Sequence, residues 1–245
     1  MANYKIAKFF VPLLDKLTFN HFSIKNSYLF LKDILSQNPS KFMASFDITS
    51  LFTNVPLLET IDLITGTLFR TDTDTFYDMD KQTFTTILNL ATLDSYFFFN
   101  NTIYKQVDGV AMGSPLGPTL ANIFMVALEK TIFDKCPVEF RPSFYRRYMD
   151  DTFALFDHPQ QAELFLNFLN TLHPNISFTF ELEKDKCIPF LDMLITRSVD
   201  GFHSTVYRKD TFTGLGINFS SYCPLTYKIN AIKTLIYRAY HLPVI

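Results

Sequence analysis

The chain lacks the basic excess by which nucleic-acid proteins usually show themselves. Lys and Arg number 22 against 24 Asp and Glu in 245 residues, a formal net charge of −2. The net charge therefore advertises no broad cationic footprint. Any contact with nucleic acid must come from local clusters such as Arg146–Arg147 or Arg208–Lys209. Cysteine is also scarce: Cys136, Cys187 and Cys223 are odd in number and form no C-x-x-C pair. That usage fits buried thiols in a reducing, intracellular compartment better than a disulfide scaffold. The N-terminal "MANYKIAKFF" has too short an apolar run for a signal peptide, and no cleavage signature. Residues 109–128, "GVAMGSPLGPTLANIFMVAL", carry no charge and have the length of a membrane span. Their first half holds Gly109, Gly113, Pro115, Gly117 and Pro118, which in lipid would leave backbone groups unsatisfied, so no membrane partner is expected. No internal repeat or low-complexity linker interrupts the chain.

What is present is core material. The apolar fraction is 48%, and 28 residues are Phe, enough for one large domain or one domain with a small appendage. "KFMASFDI" (41–48) is a short apolar strand reaching Asp47. "NVPLLETIDLITGTLF" predicts a helix with Asn54 as its cap and Leu57, Ile61, Ile64 and Leu68 on one face. A second helix is predicted over 80–93 through Phe84, Ile87, Leu88 and Ala91. "SYFFFNNTIYKQ" predicts a hairpin turning at Asn100–Asn101. The Gly/Pro loop 109–118 leads into a helix of about four turns ending near Cys136. Residues 144–148 and 152–156 are strand-like, with Met149-Asp150-Asp151 at their turn. Pro159 and Pro174 bracket a further helix. "ISFTFELE" alternates strictly, with Glu181 and Glu183 on the polar side. Asp200-Gly201 marks a hairpin, and Leu225, Ile229, Ile232, Leu235, Ile236 and Ala239 recur at helical spacing after Pro224. Hairpin-paired strands among helices predict an α+β fold, an antiparallel sheet with helices on one face.

The adjacent carboxylates Asp150–Asp151 carry the chemistry. One Asp-Asp pair is expected by chance in a chain of this size, roughly, and a solvated turn would explain it. The context adds weight, because a tight turn between two buried strands holds carboxylates at a fixed height and Asp47 ends another apolar strand. Hard divalent cations take oxygen ligands, and Mg²⁺ is held by one or two carboxylates together with substrate phosphates.

The blocks "SFDITSLFTNVPL", "DGVAMGSPLGPTLANIFM", "RRYMDDTFALF", "FTFELE…IPFLD" and "VYRKDTFTG" follow one another as they do in reverse transcriptases. The chain resembles the Penelope-like retroelement branch, related to telomerase, from about residue 41 onward. The resemblance implies a polymerase palm over 41–200, residual fingers and connecting helices over 1–40, and the end of the primer grip with the start of a helical thumb over 201–245. It implies Asp47 and Asp150 as catalytic metal ligands, with Asp151 a less strictly required third, and Mg²⁺ or Mn²⁺ as cofactor. Phe52, five residues after the first Asp, would exclude a ribose 2′-hydroxyl, although a core phenylalanine is the plainer reading of that residue alone. Met112 and Gly113 would lie against template and incoming dNTP. Phe190, Leu191 and Asp192 would form the primer grip, and Arg208 and Lys209 would contact the nucleic-acid backbone.

Two departures stand out: Met112 where many family members have Gln, and Gly117-Pro118 where they have Ser-Pro, which removes a capping hydroxyl from the following helix. The basic fingers strands that hold the triphosphate are expected to lie outside residues 1–245, and the thumb is expected to be short. The implied activity is RNA-directed DNA synthesis on an RNA template and DNA primer, in an intracellular, nuclear setting. The alternatives are an inactive or domesticated fragment that only binds nucleic acid, and another palm-type two-metal enzyme.

Overall fold

Alternation of apolar and polar residues, broken by Asn, Asp, Gly and Pro, divides the chain into short elements. The computed structural model describes residues 3–71, 75–93 and 95–242. The helices are α1 (Tyr4–Leu14), α2 (Ser27–Ile34), α3 (Leu51–Asn54), α4 (Leu57–Leu68), α5 (Lys81–Thr92), α6 (Gly117–Lys135), α7 (Pro159–Leu172) and α8 (Leu225–His241). The strands are β1 (Phe42–Ile48), β2 (Tyr96–Phe99), β3 (Thr102–Lys105), β4 (Phe144–Tyr148), β5 (Asp151–Phe156), β6 (Phe178–Leu182), β7 (Cys187–Phe190), β8 (Met193–Arg197) and β9 (Phe202–Val206). They belong to two units, one of Met1–Ser23, Asp47–Arg141 and Leu164–Thr179, the other of Ile24–Phe46, Pro142–Glu163 and Phe180–Ile245.

A four-stranded sheet runs in the order β4-β5-β1-β6, with β4, β5 and most of β1 and β6 in the second unit. Strand β5 is inner, and every residue from Thr152 to Phe156 is buried, so its "TFALF" run is apolar on both faces. It pairs antiparallel with β1 from Phe42↔Phe156 to Phe46↔Thr152, and with β4 from Phe144↔Leu155 to Tyr148↔Asp151. Phe30 of α2 packs on Phe153 at 5.0 Å and on Phe190 at 4.6 Å between ring centroids. Met43, Met193, Ile195 and Phe202 belong to the same core. Strands β7, β8 and β9 form a separate meander, so the stretch read as one hairpin has a third strand, "CIPF". Glu183, expected on the polar side of its strand, instead turns inward. Its side chain is only 7% exposed and accepts from Arg197 Nε and Nη2 and from the Met43 N–H. The backbone alternates as the sequence does, but Arg197 supplies the counter-charge that makes burial tolerable.

In the first unit Phe84 of α5 collects Phe10, Phe69 and Phe76 at 5.2, 5.4 and 5.7 Å. Asp80 caps α5 through the Thr83 N–H at 2.7 Å. The hairpin β2–β3 turns at Asn100 and Asn101, both at positive φ, as Asn tolerates in such turns.

Two local readings change. Asn54 does not cap α4: it closes α3, and its Nδ2 donates to the Thr49 carbonyl at 3.0 Å. Gly117 is the first residue of α6 rather than its cap, which is Leu116, so a hydroxyl there would not stand at the capping position. The spaced apolar residues of α8 are exposed, Leu225 and Ile232 by 57% each, and no residue of that helix is buried.

Candidate active site

Only Met149 and Asp150 lie between the paired residues Tyr148 and Asp151, so the β4–β5 connection is a two-residue turn. Asp151 opens β5, a shift from the expected three-residue turn. Met149 has φ +56 while Asp150 does not share this conformation. A positive φ at the first turn position alone is the pattern of a type II′ turn, where glycine is the usual occupant. A side chain there carries a steric cost, and the turn holds this shape through an anchored backbone. Arg147 Nη1 donates to the Met149 carbonyl at 2.9 Å. Asp150 is half-buried and Asp151 exposed.

Asp47 stands exposed between buried Phe46 and Ile48 near the end of β1. Phe46 is the last β1 residue in register with β5, opposite Thr152. Asp47 follows it along β1 and belongs to the first unit, whereas Asp150 and Asp151 belong to the second. Among the described residues, no group of three or more His, Cys, Asp or Glu side chains is gathered as a ready metal cluster. The donor chemistry nevertheless suits Mg²⁺: carboxylate oxygens are hard ligands, and that ion keeps waters and substrate phosphates for its remaining positions.

The chain enters the first unit at Asp47 and turns through Ser50, at φ +52, into α3. That turn brings Phe52 to the Gly/Pro loop, where its carbonyl accepts from the Val110 N–H at 2.6 Å. Gly109, at φ +74, lies against Thr53: a Cβ there would stand 2.7 Å from the Thr53 carbonyl carbon and 2.8 Å from its Cα. Only glycine lets the two segments touch. A Cβ on Gly117 would come within 4.0 Å of the Phe52 ring. Met112 is 77% exposed, and Gly113, at φ +88, has open space on its Cβ side. Phe52 and the loop bearing Met112 and Gly113 are therefore neighbours.

The other predicted nucleic-acid residues lie in the second unit. Leu191, Asp192, Arg208 and Lys209 line one cavity of about 460 Å³ with Phe212 and Arg238. Arg208 stacks on the Phe212 ring at 5.0 Å. Asp192 pairs with Arg238 at 2.8 Å, and its carbonyl accepts from the Tyr207 N–H. Phe190 is different, because its side chain sits in the aromatic core, 3% exposed. The cluster Arg146–Arg147 is no basic patch: Arg146 pairs with Asp33 at 2.7 Å and lies over Phe144, and Arg147 is 1% exposed. Among the described residues no helix is long and apolar enough to cross a membrane.

Residues 3–219 match the family model of the reverse transcriptase (RNA-dependent DNA polymerase). The chain belongs to the reverse transcriptase family. The match begins well before residue 41, so the N-terminal helices are part of the family domain. Solved structures agree on the fold. Telomerase from Candida albicans, in complex with a fragment of telomeric RNA, superposes with a TM-score of 0.62 at 12% identity over 80% of this chain and 38% of that one. The corresponding Candida tropicalis telomerase gives 0.60 at 11% identity over 94% of this chain and 40% of that one. The RNA-dependent RNA polymerase of bacteriophage phi12 gives 0.51 at 14% identity over 79% of this chain and 32% of that one. This reverse transcriptase domain thus spans less than half the length of the telomerase chains it resembles. No curated protein sequence matches it. Its antiparallel sheet with packed helices is the palm architecture those polymerases share.

Proposed function

We propose that this reverse transcriptase domain is the polymerase core of a retroelement of the Penelope-like branch, adding dNTPs to a primer 3′-hydroxyl under the direction of an RNA template. The observation that carries the reading is the family match over residues 3–219 together with the "YMDD" turn at the closed end of the β4–β5 hairpin. Asp47, Asp150 and Asp151 would hold Mg²⁺, with Mn²⁺ as a substitute. When bound, the ions supply positive charge to the attacking and leaving oxygens of the phosphoryl displacement.

The chain's own residues provide position. Phe52, fixed by its carbonyl bond to Val110 and by the close approach of Gly109, presents a bulky ring where a 2′-hydroxyl would otherwise fit. Met112 and Gly113 offer an exposed, uncharged surface to template and incoming base. The Leu191–Asp192 turn and the Arg208–Lys209 pair line one cavity and would hold the primer strand by its backbone. Rate enhancement then comes from orientation and fixed charge.

The test is extension of oligo(dT) on poly(rA) with Mg²⁺ or Mn²⁺, comparing the natural chain with Asp150→Asn. Extension that falls to background in the variant supports the reading, and undiminished extension refutes it. Tight template–primer binding by the natural chain with no extension under either metal would favour a nucleic-acid-binding module instead.

A further inference from the structure

Two adjacent arginines precede the "YMDD" turn, and β4 sends them to opposite faces. Arg146 reaches the surface carboxylate of Asp33. Arg147 goes inward and is, among the described residues, the largest side chain to be fully buried. Burying a guanidinium is costly unless its donors are used, and one of them is spent on the Met149 carbonyl at 2.9 Å. That carbonyl belongs to the peptide plane it shares with the Asp150 N–H. Holding the plane fixes the direction in which Asp150 leaves the turn. The same residue, Met149, carries the left-handed φ of +56 that an L side chain rarely adopts.

We propose that Arg147 is a positioning residue: from within the core its guanidinium clamps the Met149 carbonyl and so holds the strained turn in the one conformation that presents Asp150. This rests on the reading of Asp150 as a metal-binding carboxylate of a polymerase. Arginine suits the task better than lysine, because a planar fork can hold one carbonyl while its remaining donors bond elsewhere. The backbone at Arg147 is anchored as well, since its carbonyl accepts from the Ile24 N–H at 2.9 Å. The clamp therefore works from a fixed strand on the turn that follows it.

The experiment compares the natural chain, Arg147→Met, Arg147→Lys and Asp150→Asn in two readouts. One is single-turnover dTMP incorporation across a range of dTTP concentrations. The other is Mn²⁺ binding to the protein without substrate, followed by electron paramagnetic resonance. Arg147→Met is expected to lose roughly 10–100-fold in Mn²⁺ affinity and in maximal rate, the usual loss when an outer-shell partner is removed. The dTTP concentration for half-maximal rate should stay within about threefold, because a positioning defect acts on the bound complex. Arg147→Lys should recover part of both losses.

If Arg147→Met does not fold alone, the double variant with Met149→Gly takes the left-handed turn without steric cost. It is then read against Met149→Gly by itself, and the same loss is expected. A folded Arg147→Met, or a folded double variant, with undiminished Mn²⁺ affinity and rate overturns the clamp. Loss of both in Asp150→Asn but in neither Arg147 variant overturns the clamp alone. Retention of both in Asp150→Asn overturns the polymerase reading beneath it.

Discussion

Gly109→Ala should be the most damaging single-methyl addition in the Gly/Pro loop, and its size can be worked from the structure. Gly109 has φ +74, and a Cβ there would stand 2.7 and 2.8 Å from backbone atoms of Thr53. Neither contact can be relieved by rotating a side chain. The left-handed backbone costs about 1–2 kcal/mol for an L residue, and forcing a methyl into filled space costs about 1–3 kcal/mol more. The sum, about 2–5 kcal/mol, corresponds to a fall in melting temperature of about 4–20 °C for a domain of this size.

Two controls separate the terms. Gly113 has φ +88 but open space around its Cβ direction, so Gly113→Ala should cost only the backbone term, about 1–2 kcal/mol. Gly66 lies inside α4 with nothing within 4 Å, so Gly66→Ala should stabilise by about 0.5–1 kcal/mol. Chemical denaturation of the three variants, followed by circular dichroism, gives the order directly. Equal losses at Gly109 and Gly113 would refute the close approach of the loop to Thr53, and with it the fixed placement of Phe52.

Other consequences follow from charge. Arg197→Met leaves the Glu183 carboxylate buried with the Met43 N–H as its remaining bond from this set. It should cost about 3–5 kcal/mol in denaturant, with most of the loss recovered by adding Glu183→Met. Hydrogen bonds from the Thr83 backbone to Asp80, and from Lys41 to Asp157, hold both carboxyls below their ordinary value of 3.8. A depressed native pKa gives stability that is fully present above the ordinary value and lost as pH falls through the lowered one. The melting temperature should therefore decline more steeply below about pH 4 in the natural chain than in the Asp80→Asn, Asp157→Asn double variant. Identical acid profiles would contradict both contacts.

Much of this architecture was legible because local chemistry forces it. Asn100–Asn101 and Asp200–Gly201 mark hairpins through residues that tolerate unusual φ, and Pro159 and Pro174 bracket α7. The Gly/Pro stretch 109–118 was legible as a loop leading into α6, but its close approach to Thr53 was not. What the residues did not disclose depends on partners far along the chain. Adjacent arginines look like a local basic cluster until the strand's phase is known, and β4 sends Arg147 into the core. Glu183 follows the polar phase of "ISFTFELE" and is buried all the same, because Arg197, fourteen residues on, meets it. Leu191 and Met149 take glycine-like conformations that no propensity would assign to them, and both lie in turns beside predicted site residues. The regular spacing after Pro224 marked α8 as a helix, and its apolar residues are exposed. Helical periodicity records that an element has an apolar side but not what covers it.

If the carboxylates of β1 and of the β4–β5 turn serve one polymerase centre, removing either charge must have the same consequence. The decisive measurement is the single-turnover rate of dTMP addition on an RNA template for the natural chain, Asp47→Asn and Asp150→Asn, with Glu181→Gln as an exposed carboxylate elsewhere on the sheet. Both aspartate variants should fall to background while Glu181→Gln retains the natural rate. An Asp47→Asn or Asp150→Asn protein that still extends the primer at the natural rate would contradict a shared catalytic centre.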